Sequence, residues 1–323
     1  MAQKKTVCVL GGTGFVGMHL ANQLSKAGYQ VRIPSRRRER HRDVLVVPTV
    51  DVVDANVHDA KQLETLLSGC DVVINLVAIL NERKRGDFQR VHVELPSKVV
   101  NACKTAGVGR LLHMSSLNAD PAQGPSRYLR SKGEGEKFVL AAQSEHLAVT
   151  VFRPSIIFGP GDKFFNMFAS FLSLTPLIFP VVCPNAKFAP VYVGDVAKAM
   201  VDTIAKPASY GRAFNLCGPG VYRMQQLVEY VNQVIGARRA IIGLGDGASR
   251  FMATVLGMVP GSPMTTDNYL SMQIDSVCDR SDTGAIICSN ALESMVPYYV
   301  GRKDQRSLYD AHRTVARHDS LPR

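Results

Sequence analysis

The chain has 323 residues, of which 20% are charged and 46% hydrophobic, and its formal net charge is +11. This balance excludes a disordered chain and suffices for one large α/β core, with or without a small lobe. The positive excess suits anionic company, whether a phosphorylated cofactor, an anionic membrane surface or nucleic acid, and equally a plain basic surface.

Taken in order, short apolar runs alternate with helical spans. Residues 6–10 read as a buried strand, 15–27 as a helix stopped by Gly28, and 30–33 as a second strand. A third strand is expected at 44–50, a helix at 60–67 and a fourth strand, DVVINL, at 71–76. A long helix at 88–106 ends at Gly107, and 110–114 is the fifth strand. A helix at 127–142 precedes a sixth strand at 148–153. Strands separated by such helices require a parallel sheet, and their continuous apolar character suits a sheet covered on both faces. Beyond Arg153 helices are expected at 164–174, 196–204 and 224–235, with a strand at 213–216. The organisation expected is a dinucleotide-binding core over 1–160, then the rest of that core interleaved with a small lobe over 161–300. A polar tail follows over 301–323.

The cysteines are Cys8, Cys70, Cys103, Cys183, Cys217, Cys278 and Cys288. None forms a CxxC pair, and most sit in apolar runs, which implies a reducing compartment without a disulfide framework. The histidines lack ligand spacing, so no metal site is expected. The start, MAQKKTVCVLGG, is too short for a signal peptide. The uncharged stretch 164–186 is broken by Pro176, Pro180 and Pro184, which excludes an ordinary spanning helix. This stretch and 250–260 read as lobe packing, as the wall of a greasy pocket, or as a face resting on a membrane. A cytoplasmic location is expected, with peripheral contact on the inner face of a membrane allowed. Nucleic acid is not an expected partner, because no recognition module is visible.

The run VCVLGGTGFVG places Gly11, Gly14 and Gly17 at GxxGxxG spacing, with Thr13, Phe15 and Val16 completing the turn. It follows a predicted strand and opens a predicted helix, the context in which such glycines cradle a dinucleotide pyrophosphate. The second strand continues as VRIPSRRRERHR. An acid holding the ribose 2′-hydroxyl is the usual mark of NAD at this point. Here Ser35, Arg36 and Arg37 stand there instead, and each could hold a 2′-phosphate with about 1.5–3 kcal/mol. NADP(H) is therefore expected over NAD(H); a solvated basic loop is the alternative.

Tyr128 and Lys132 lie four apart in SRYLRSKGEGEK, on one face of a predicted helix. A phenol needs a nearby cation to act as a base, and an ammonium at that spacing could supply it. Ser115 and Ser116 follow the fifth strand, at the end where open α/β sheets bind ligands.

These motifs, with RPSIIFGPGD (153–162), FAPVYVGDVAKAM (188–200) and AFNLCGPG (213–220), resemble the extended and atypical short-chain dehydrogenase/reductases, the NAD-dependent epimerase/dehydratase family. MSSLNAD, SRYLRSKGEGE and MTTDNYLSMQIDSV are most similar to the branch of the NADPH-binding accessory subunit of respiratory complex I and its bacterial relatives. The resemblance covers about residues 5 to 300. It implies an α/β fold, a Rossmann-type doubly wound parallel sheet of about seven strands with a small C-terminal α/β lobe. It also implies a catalytic trio of Ser116, Tyr128 and Lys132. Asn56 and Val57 would lie near the adenine, where many relatives have Asp before an apolar residue. Leu76, Val77, Ala78 and Pro154 would line the ribose and nicotinamide, with Tyr128 and Lys132 against the same ribose. Two readings follow. One is an NADP(H)-dependent oxidoreductase or epimerase-like enzyme acting on a small apolar substrate, of quinone or isoprenoid type by analogy with the branch. The other is a non-catalytic NADPH-binding accessory or assembly protein of a membrane-linked respiratory or quinone complex. The oligomeric state stays open.

Overall fold

The computed structural model describes residues 4–40, 42–258 and 264–300. The expected tail, 301–323, lies outside them. The apolar runs form one sheet of eight strands: β1 (Thr6–Leu10), β2 (Gln30–Ser35), β3 (Val50–Asp54), β4 (Val72–Asn75), β5 (Arg110–Met114), β6 (Ala148–Pro154), β7 (Arg212–Cys217) and β8 (Ala285–Ile287). Their spatial order is β8-β7-β6-β5-β4-β1-β2-β3, and every pairing is parallel. The chain thus turns outward in opposite directions from β1 and β4, which leaves a crevice beyond their carboxyl ends.

Parallel strands need crossovers, and helices supply them: α1 (Phe15–Lys26), α2 (Ala60–Leu67), α3 (Leu95–Ala106) and α4 (Arg127–Ala141). Alternation along β1 divides the core. Val7 and Val9 face Leu20 and Leu24 of α1, whereas Cys8 and Leu10 face Leu63 of α2 and Val99 and Cys103 of α3. A third core belongs to the C-terminal half. There α5 (Phe164–Leu174) and α7 (Met224–Val234) pack through Phe165, Leu172, Leu227 and Val228. Between them in sequence, α6 (Val193–Thr203) lies against α1 and the main sheet. In this half Ile178–Val181 pairs with Ala240–Gly243, and α8 (Asp246–Gly257) follows.

Four expectations change. The run at 44–50 is not a strand: Arg42–Leu45 is a helical turn, Val44 and Val47 are buried three apart, and Pro48 precedes the true third strand. The helix at 88–106 begins as a π-helical turn, Gln89–Glu94, before α3. The sheet has eight strands because the short β8 joins its edge. Finally, Cys217 and Cys278 are joined in a disulfide, contrary to the expectation of none. Their separation of 61 residues has no spacing signature. Tertiary structure joins them: residues 275 and 276 are hydrogen-bonded to Asn118, Ser155 and Ala189 beside the strand ends.

Helix α1 meets the turn before it without any intervening side chain. A Cβ on Gly17 would lie 2.5 Å from the Gly12 Cα and overlap the Gly11 carbonyl oxygen. Both obstacles are backbone. Gly17→Ala is therefore expected to cost about 2–3 kcal/mol in urea unfolding; an unchanged midpoint would show that the turn can relax.

Candidate active site

The first strand ends in a turn that only glycine allows. Gly11 has φ +80°, and a Cβ there would come within 3.3 Å of Leu76 C and Val77 N. Gly14 is exposed and caps α1 without a side-chain bond. The first-turn N–H groups of Phe15, Val16 and Gly17 are the ones a helix leaves without intrahelical partners. Bare glycine backbone and a positive helix end facing the crevice form a cradle of the kind that holds a pyrophosphate. Thr13 is half-buried in the same turn.

Across the switch point the chain leaves β4 through Leu76, Val77 and Ala78. The Leu76 N–H donates to the Leu10 carbonyl at 2.9 Å, and the Val77 N–H donates to Asn75 Oδ1 at 3.1 Å. Ala78 is exposed at the rim. Pro154 ends β6, and its carbonyl accepts from the Leu117 N–H at 3.0 Å. Asn56 is occupied locally, since its Oδ1 accepts from the His58 N–H and its own N–H donates to Gln62. Val57 packs against the core on the α2–α3 side. At the end of β2, Ser35 is buried and its hydroxyl accepts from the Arg37 N–H at 3.2 Å, whereas Arg36 and Arg37 are exposed.

Helix α4 carries Tyr128 and Lys132. Ser126 caps it, accepting from the Leu129 N–H at 3.1 Å. Tyr128 is half-buried, with the rings of His92 and Phe88 edge-on to it at 5.5 and 6.0 Å. Burial raises its phenol above the ordinary value, and contact with the Ser116 hydroxyl opposes the rise. Ser116 is thus the serine on the phenol's side, its hydroxyl donating to the Leu117 carbonyl at 3.4 Å, whereas Ser115 is buried. Lys132 is 2% exposed and donates from Nζ to the Met114 carbonyl at 2.6 Å. Burial lowers it to about 8, against the pull of Glu136 one turn on. Glu136 is itself buried and paired with Arg153 of β6. Burial therefore raises the phenol, contrary to the lowering expected from the Tyr–Lys spacing, and the ammonium is bonded instead to the carbonyl at the end of β5.

Two further residues shape the site. His92, from the π-helical turn, accepts at Nε2 from the Ile79 N–H (3.1 Å). Its Nδ1–H then donates to Ser131 Oγ (2.9 Å), which donates to the Tyr128 carbonyl. Burial first, and Lys132 second, hold this imidazole down to about 3, so it stays neutral and bridges the loop after β4 to α4. Asp267 lies in the short helix Thr266–Ser271, started by Thr265 and Asn268 in a capping box. Its Oδ1 accepts from the Arg127 N–H at 2.8 Å and its Oδ2 from the Tyr128 N–H at 3.0 Å. Ser271 adds a hydrogen bond to Ser126. The carboxylate thus caps the Tyr128 helix from 139 residues away. The local capping pattern in MTTDNY is readable in sequence; its distant target is not.

A doubly wound parallel sheet, a glycine cradle at its switch point and a Tyr–Lys helix beside it define a Rossmann-type α/β protein of the dinucleotide-fold class. The chain belongs to the NAD dependent epimerase/dehydratase family, whose sequence pattern matches residues 7–217. Among curated relatives it is 33% identical, over 80% of its length and 68% of the other's, to mitochondrial NADH dehydrogenase (ubiquinone) 1 alpha subcomplex subunit 9 of Mus musculus. It is 29% identical to the ceramide reductase of Caulobacter vibrioides over 74% of each chain. The solved structure of Pal from Bacillus thuringiensis superposes with a TM-score of 0.73 at 17% identity, over 94% of this chain and 99% of that one.

The comparisons correct the expected cofactor. Several similar structures are solved with NAD. They include MoeE5 with UDP-glucose (TM-score 0.62, 21% identity, 83% and 97% of the two chains) and the dTDP-glucose 4,6-dehydratase of Bacillus anthracis (0.62, 16%, 75% and 85%). WbmH of Bordetella bronchiseptica and DesIV of Streptomyces venezuelae are likewise solved with NAD. NAD is thus better supported than NADP(H).

Two outcomes test this geometry. Asp267→Ala should lower stability by about 1–2 kcal/mol and Asp267→Asn by less, because an amide oxygen still accepts one bond; no loss in either variant would remove the carboxylate from the cap. Lys132 has a folded value near 8 against an ordinary 10.5, so the folded state releases its proton first. Relative to Lys132→Met, the wild-type chain should gain about 3 kcal/mol as pH rises through that window, with no change below it. A flat difference in unfolding free energy would place the ammonium in water.

Proposed function

We propose that the chain is a NAD-dependent oxidoreductase acting on a hydroxyl or carbonyl of an apolar, lipid-like substrate. The observation that carries this reading is the placement of Tyr128 at the carboxyl edge of the sheet, one turn from a buried lysine whose Nζ donates to the Met114 carbonyl at the end of β5, next to Ser115 and Ser116. Gly11, Thr13, Gly14, Phe15, Val16 and Gly17 would hold the pyrophosphate. Asn56 and Val57 would flank the adenine, and Ser35, Arg36 and Arg37 border that end of the crevice. Leu76, Val77, Ala78 and Pro154 would flank the nicotinamide ribose, with Lys132 as its donor. Bound NAD supplies the hydride acceptor or, when reduced, the donor.

A phenol raised by burial is protonated at neutral pH. Tyr128 is therefore set as a general acid that gives its proton to a carbonyl oxygen, with Ser116 donating a second hydrogen bond to that oxygen. Reduction is the direction this favours. The apolar substrate class draws support from relatives named ceramide reductase and 3beta-hydroxysteroid-dehydrogenase/decarboxylase isoform 1, the latter 30% identical over 48% of this chain. Quinone- and isoprenoid-type carbonyls fall within it.

A second reading, a non-catalytic accessory protein of a respiratory complex, draws on the likeness to the mouse NADH dehydrogenase subunit. NADH at a hundred times its Kd should stabilise the chain by about 2.7 kcal/mol under either reading. Turnover separates them. With a 3-ketosteroid and a long-chain aliphatic ketone as probes, NADH oxidation should fall about 100- to 10,000-fold in Tyr128→Phe while the NADH-induced thermal shift persists. Undiminished turnover in that variant sinks the mechanism; stabilisation without turnover on either probe supports the accessory reading.

A further inference from the structure

Carboxylates are absent from three long segments of the C-terminal half. Residues 163–194, 230–245 and 247–266 contain no Asp or Glu, while Lys163, Lys187, Arg238, Arg239 and Arg250 fall within them. The same segments present apolar side chains to solvent. Leu174 and Leu177, at and after the end of α5, are 78% and 75% exposed, and Phe251 and Met258 of the α8 region are 73% and 76% exposed.

The exposure is organised. Ile178 pairs with Ala240 and Pro180 with Ile242, so Ile178 and Ile242 project to one side of the two-stranded element, and both are exposed. Phe251, Val255 and Met258 follow at helical spacing on one face, while Ser249 and Ala253 bury the opposite face. The two elements adjoin: Leu244 and Gly245 alone separate the strand from α8, and Ser249 Oγ accepts from the Cys183 N–H at 3.1 Å. Arg238 and Arg250 are exposed next to these clusters.

We propose that this face docks on an anionic lipid bilayer, with the apolar side chains entering the interface and the arginines meeting phosphate headgroups. Apolar side chains beside cations that outnumber the single carboxylate between them, Asp246, whose Oδ1 accepts from the Tyr269 hydroxyl at 2.7 Å, suit such a surface. A second copy is disfavoured by the same charges, since a twofold contact would bring arginine rows together. The position also serves the proposed chemistry. Thr254 and Met258 share a cavity of about 520 Å³ with Arg127 and Arg130, in the first turns of the Tyr128 helix. A chain seated this way would open that cavity toward the lipid. This last step rests on the oxidoreductase reading; the docking does not.

Flotation of the purified full-length chain with vesicles of phosphatidylcholine, alone or mixed with phosphatidylglycerol, tests it without any turnover. Binding is expected to the mixed vesicles only, declining as salt is raised. Leu177→Ser/Phe251→Ser should weaken it by at least about tenfold, and Arg238→Gln/Arg250→Gln should weaken it similarly. Melting temperature and NADH-induced stabilisation should hold in both, because these side chains are exposed. Failure to float with anionic vesicles overturns the proposal, as does unchanged binding in either double variant. A wild-type dimer that the Leu177→Ser/Phe251→Ser variant dissociates would assign the face to a second copy and overturn it too.

Discussion

The hydrogen bond from Lys132 to the carbonyl at the end of β5 fixes most of what surrounds it. It requires α4 to lie close to the end of the sheet, and glycines let the helix come equally close to the loop after β5 and to the turn that opens α3. A Cβ on Gly133 would stand 2.6 Å from the Asp120 carbonyl carbon, and one on Gly135 would overlap the His92 carbonyl oxygen. Each glycine costs the helix about 1 kcal/mol relative to alanine, so propensity has yielded to close approach. The ammonium brought inside is a second cost. Glu136 one turn on offsets part of it and is itself held by Arg153 from the next strand. One Glu136 oxygen, Oε2, has no partner in this pairing. Charge, glycine and strand end are thus one arrangement, and the height of Tyr128 above the crevice follows from it.

This also explains which parts were legible in the residues. The strands announced themselves as apolar runs, and the bounds of β1, β5, α2 and α5 match the pattern because burial and periodicity agree there. At 44–50 they conflict: a seven-residue run of largely strand-like composition includes a proline, and burial at Val44 and Val47 suits a turn. SKGEGEK reads as a solvated polar helix, yet Lys132, Gly133, Gly135 and Glu136 form its buried face. Hydropathy cannot reveal a polar face whose partners come from β5 and β6. The Cys217–Cys278 bond, the His92 bridge and the Asp267 cap lie beyond sequence for the same reason, since each joins segments that only the folded sheet brings together.

The cofactor shows a different limit. A strand end with serine and arginines but no acid has the residue types for a 2′-phosphate. Types carry no direction, however. The Ser35 hydroxyl is buried and accepts from the Arg37 N–H while Arg36 and Arg37 are exposed, an arrangement that by itself selects neither dinucleotide. Composition at one position was a weaker guide than the relatives that hold NAD.

Whether such a site performs chemistry or only holds a dinucleotide turns on what each role requires. Holding needs the glycine cradle and a donor to the ribose. It does not need a half-buried phenol raised above its ordinary value, nor a neutral imidazole spanning from the loop after β4 to the helix of that phenol. A methionine of similar volume could fill the place of Lys132 without the cost of burying a charge. On the oxidoreductase reading proposed above, groups that are expensive to bury and gathered at one strand end serve proton transfer rather than packing. The same reading gives the tie from Asp267 a use: a helix whose first turn carries a phenol to be positioned gains from a cap supplied by the element that lines a cavity with that turn.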